Sequence, residues 1–186
     1  MDFRYHLTSL EGRRKDYVKK GLFSPGDDQI GLLEKIVEGA IDSKFLPKKL
    51  YQAPDGYCED HNREIAAEAL QLVDLAKAYE PILTWVNYLA ANPDKRHWTT
   101  CRHALGRLSI YLEVEGYQEK LEQAIPALQE LAMDSWLSDK YAFSTFAIEL
   151  LAQIRGLKAE AALKHIAANH KAQAGRDQAQ IQLQKI

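Results

Sequence analysis

Two cysteines and six histidines make up the thiol and imidazole inventory of this 186-residue chain. Several fall close together: Cys58 with His61, three residues on, and His97, Cys101 and His103 within seven positions. Thiolate and imidazole are the usual zinc ligands. Neither spacing is that of a zinc finger, and the second group spans a helix start. Isolated cysteines are commonly buried and inert. The sequence therefore predicts two reduced thiols, no metal and no cofactor, with His103 in a solvent-facing register.

A second group has helical spacing. Arg102, His103 and Arg107 share much of one helix face, because residues three to five apart lie side by side. Glu64, Glu68 and Gln71 hold comparable places one helix earlier, and Thr145, Glu149 and Gln153 one helix later. Acid, base and polar groups in adjacent rows suit recognition of a charged partner. They equally suit a solvated face with scattered ion pairs. Three tryptophans, Trp85, Trp98 and Trp136, come near helix ends, where large rings commonly plug gaps between helices. No catalytic signature is present: no G-x-S-x-G, P-loop, H-E-x-x-H or glycine-rich phosphate cradle. Single Ser, Cys and His residues lack a local arrangement that would activate a nucleophile.

The elements that position these residues are helices throughout, since apolar residues recur every three or four positions and never alternate. Ser24 and Pro25, followed by Asp27 and Asp28, mark a helix start, and that helix is expected to run to about Phe45. Residues 46–60 hold two prolines and the turn Pro54-Asp55-Gly56 and read as the longest loop. A helix over about 61–79 follows. Pro81 opens another, Gly116 closes its partner, and Pro126 predicts a kink or a restart.

Between residues 80 and 156 the chain reads as one helical hairpin written twice. Pro81 aligns with Pro126 and Leu83 with Leu128, both 45 residues apart; Ala104 aligns with Ala147 and Leu108 with Leu151, both 43 apart. A period in the low forties with two helices per unit is a solenoid signal. A looser copy precedes it. The organisation is one domain: a basic arm at 1–23, hairpins at 27–79, 80–115 and 117–155, a capping helix at 157–171 and a polar tail at 172–186.

The run AIPALQEL at 124–131, followed by AIELLA at 147–152, resembles a HEAT repeat, as do Pro81 to Leu83 with the later Ala104-Leu105-Gly106. The resemblance spans roughly residues 27–155. It implies an all-α, short right-handed solenoid of about seven or eight helices in antiparallel hairpins, a tendency to bind macromolecules, and no catalytic residues. The chain departs from the pattern at the early arginine of the second helix, for which Arg63 and Arg102 are placed but the last copy offers Lys140. Some HEAT-like DNA glycosylases hold damaged DNA with aromatic and acidic residues on a basic concave face. Here the net charge is −2 and the pI about 6.3, which disfavours nucleic acid.

The N-terminus has no secretory apolar core, and no stretch approaches the ~20 apolar residues that span a bilayer. A cytoplasmic location and no membrane partner are expected. The leading functional expectation is a non-enzymatic protein-binding module, such as an inhibitor, a toxin-neutralising immunity protein or an adaptor. The residues assigned to its partner surface are Trp98, Arg102, His103, Arg107, Trp136, Tyr141 and Glu149. The alternative is a nucleic-acid-binding or repair-like helical-repeat protein using Arg102, Arg107 and the basic arm.

Overall fold

The computed structural model describes residues 5–19, 27–46, 59–134 and 143–186. Among them the chain is helical, with no strand. Trp136, Tyr141, Ser138 and most of the loop expected at 46–60 lie outside the described residues, as does the start signal at Ser24 and Pro25.

Helix α1 (Leu7–Lys19) comes from the basic arm. Helix α2 (Asp27–Glu38) buries Leu33, Ile36 and Val37, one face at a spacing of three and four. It stops well before Phe45. Gly39 ends it in the left-handed region at φ 82°, as a helix C-terminus prefers, and Ser43–Phe45 form a separate 3-10 turn.

Helices α3 (Glu59–Val73) and α4 (Leu75–Ala91) meet at Asp74, not at Pro81. The Asp74 carboxylate accepts the backbone N–H groups of Ala76 at 2.9 Å and Lys77 at 3.2 Å. That N-cap satisfies two of the orphan donors of a new helix. Pro81 lies inside α4, missing one backbone bond, and the buried stripe Ala78, Ile82, Trp85, Val86 and Leu89 continues past it. Burial of that stripe outweighs the proline's local cost.

Helix α5 (Trp98–Ser109) runs into a 3-10 turn, Ile110–Glu113. The next segment breaks into α6 (Gln118–Leu121), a 3-10 turn over Glu122–Ala124, and α7 (Ile125–Ala132). Pro126 sits in the first turn of α7, so the expected disturbance is a restart. Then come α8 (Phe143–Ile154), α9 (Gly156–Asn169) and α10 (Gln173–Leu183). The last arises from the tail, where Gly175 lets the ring of His170 approach so closely that a Cβ would lie 2.5 Å from it.

Sequential helices pair: α2 with α3, α4 with α5, α7 with α8, α9 with α10. The first members also touch in succession, α2 to α4 to α7 to α9. So do the second members, α3 to α5 to α8 to α10. Between the two rows lies the core, with Trp85, Leu105, Leu108, Leu128, Leu151 and Leu163 sealed from solvent. Burying one such leucine contributes about 1.5–3 kcal/mol.

Arg96 staples two helix ends. Its guanidinium donates to the carbonyls of Leu89, at 3.0 Å, and Ala90 at the C-terminus of α4. It also reaches the Asp134 and Glu130 carboxylates, both at 3.1 Å, at the end of α7. No helix among the described residues is long and apolar enough to cross a membrane.

Candidate functional site

On α3, His61, Glu64, Glu68 and Gln71 follow one another at three and four residues and therefore share one face. On α5, His103 and Arg107 do the same. The contact between α3 and α5 brings the two rows together.

Glu64 is at the centre and only 7% exposed. One carboxylate oxygen, Oε2, lies 2.9 Å from His103 Nδ1 and 3.5 Å from His61 Nδ1. The other, Oε1, accepts from Arg107 Nη2 and from the Tyr5 hydroxyl, each at 2.9 Å. Burial by itself would raise the Glu64 carboxyl. The hydrogen bond from His103 and the charge of Arg107 outweigh it and hold the group down at about 2. Arg107, 3% exposed, also contacts Glu68, which in turn holds Arg13 of α1 at 2.6 Å.

The N-terminal segment covers this cluster. Tyr5 lays its ring under the Arg107 guanidinium, 4.5 Å from charge to ring centroid, an arrangement that favours the cation. The ring fits because residue 106 is glycine: a Cβ there would sit 3.1 Å from Tyr5 Cε2. Burial and the charge of Glu64 push the phenol up to about 12, so it stays a donor. The Tyr5 backbone N–H donates to Ser109 Oγ at 3.2 Å. The Glu113 carboxylate accepts from the Leu7 N–H at 2.9 Å and lies 2.6 Å from His6 Nδ1, fixing the start of α1. Leu10 closes over Leu72 and Ile110. A cavity of about 170 Å³ remains between α1 and α5, lined by Tyr5, His6, Ser9, Leu10, Arg13, Arg107 and Ile110.

Four of the seven residues assigned to a partner surface lie on α5, but they divide between two faces. Trp98, 41% exposed, stacks on Arg102, whose guanidinium carbon lies 5.3 Å from the ring centroid. His103 and Arg107 point the other way, into the cluster, and not toward solvent. Glu149 lies on α8, with Gln178 of α10 donating to it at 3.4 Å. No protein-family model, curated protein or solved structure matches the chain.

Of the residues weighed as zinc-type ligands and set aside, Cys101 is buried in the apolar core, His97 is exposed, and Cys58 lies outside the described residues. His61 and His103 do converge, with ring centroids 6.0 Å apart. The sequence places Glu64 in a row beside that of Arg107 but does not join it to His61, and it leaves Tyr5 out of the group. Glu64 was detectable from its place three residues after His61. Tyr5 carried no signal, since its partners lie about 60 to 100 positions away.

Proposed function

We propose that the chain is a non-enzymatic protein-binding module built as a short solenoid of helical hairpins. This is the kind of scaffold that serves as an inhibitor, a toxin-neutralising immunity protein or an adaptor. Trp98 carries the reading. It is a tryptophan left two-fifths in water, at the N-terminus of α5, with Arg102 stacked on its face. Tryptophan and arginine dominate the energetic centres of protein interfaces. The two successions of helix contacts support the solenoid, in which each unit touches its neighbours and the second helices line a common surface.

The nucleic-acid alternative draws less support. Arg107 spends its charge on Glu64 and Glu68, the chain carries a net charge of −2, and phosphate binding needs uncommitted cations. The test places a photo-crosslinking amino acid at position 98 and irradiates the native host. One discrete protein adduct that an excess of wild-type protein competes away supports the proposal. Adducts only with DNA or RNA, or no adduct, overturn it.

A further inference from the structure

The geometry points to a zinc-class divalent metal site formed by His61, Glu64 and His103, open to water on its fourth side. This inference stands apart from the partner-binding proposal and rests on different residues.

Each of the three residues offers one ligand atom, and these atoms lie within 4.8 Å of one another. Ligands bound at 2.0–2.1 Å to a tetrahedral ion are about 3.3 Å apart. Glu64 Oε2 is already 2.9 and 3.5 Å from the two Nδ1 atoms. To close around an ion through these atoms, the imidazoles would turn and His103 Nδ1 would give up its 3.1 Å contact with the Tyr5 hydroxyl. The set of two imidazoles and one carboxylate, with water in the fourth position, is one that suits zinc, and imidazole also suits nickel, copper and iron.

The rest of the cluster resembles the outer shell of such a site. Ligating carboxylates are themselves hydrogen-bonded, which fixes the oxygen that faces the ion. Here Oε1 is held by Arg107 and the Tyr5 hydroxyl, leaving Oε2 toward the two histidines. The charges of Arg107 and Arg13 are matched by Glu64 and Glu68, so an incoming cation meets no net positive charge from these four groups. Access comes from the His61 side, where the imidazole is 26% exposed while Glu64 and His103 are largely covered. Metal binding needs the ligating nitrogen of each imidazole bare, with any ring proton carried on the other nitrogen. Bound metal would also clamp α3 to α5 beneath the N-terminal segment.

The test uses the full-length protein stripped with a chelator and then loaded with Co2+ or Zn2+ at pH 7.5. The expected result is one ion per chain after gel filtration, with visible Co2+ d–d bands that Zn2+ displaces. His61→Gln and His103→Gln should abolish the bands. Tyr5→Phe should keep them but weaken affinity by about 10-fold or more, as loss of an outer-shell partner does. His97→Gln, on the exposed histidine before α5, should change nothing. His61→Gln with an unchanged circular dichroism spectrum guards against misfolding in the more buried His103 variant. No retained ion, bands that survive both ligand substitutions, or equal loss in His97→Gln would overturn the site.

Discussion

Replacing Glu64 by Gln removes a single charge from the centre of the α3–α5 cluster and should change how stability depends on pH. In the metal-free fold the carboxyl is held at about 2, against an unfolded value of 4.5. A folded pKa below the unfolded one means that the ionised form stabilises the fold. That stability is complete above the unfolded pKa and is lost as pH falls through the folded one. The difference corresponds to roughly 3 kcal/mol near neutrality. The same linkage leaves less than half of that at pH 3. The side chain is nearly covered, so solvent screening subtracts little. Urea unfolding followed by far-UV circular dichroism, in chelator, at pH 7, 5, 4 and 3, measures the difference between wild type and Glu64→Gln. It should be about 3 kcal/mol at pH 7 and 5 and shrink by more than half at pH 3. A difference that stays flat from pH 7 to 3, or one below ~1 kcal/mol at pH 7, would refute the assignment of Glu64 as a buried, charge-paired carboxylate.

Gly106→Ala opposes helix propensity, which favours Ala by about 1 kcal/mol: the new methyl meets Tyr5 at 3.1 Å. The expected net result is a loss of about 1 kcal/mol from crowding and faster protease cleavage within α1. Arg96→Met removes one donor to the Asp134 carboxylate and the guanidinium bonds to two α4 carbonyls. It should cost about 3 kcal/mol or more by denaturant midpoint. Leu105→Ala, at a sealed core position, should cost about 2–5 kcal/mol. Leu157→Ala, 85% exposed on α9, should stay within about 0.5 kcal/mol.

The helical class was readable because burial imposes a period. Leu83, Ala104, Leu128, Ala147 and Leu151, which the expected repeat aligns, are all buried. Helix ends were less readable where two signals competed. Asp74 and Pro81 both mark starts, and the outcome turned on a side-chain cap and a continuous apolar stripe that a proline-first reading skips. In the cluster, the pairing of Glu64 and Glu68 with Arg107 follows from three- and four-residue spacing on adjacent helices. The coverage by Tyr5 does not, because nothing local to residue 5 specifies Gly106 or Ser109 as its seat. The histidines drew attention through nearby cysteines, yet the group they join is a carboxylate, one of 26 acidic residues with no mark in the sequence beyond its spacing from His61.

The seating of Tyr5 against Ser109 spans 104 positions, and this has a consequence for biosynthesis. Residues around Tyr5 leave the ribosome well before the residues that seat them. At ~5–20 residues per second, the N-terminal segment waits roughly 5–20 s for α5 to be made. During that interval Leu10 has no Ile110 to close over, and the acidic face of α3 has no Arg107. Docking of the arm thus waits on α5 and reports that it is in place.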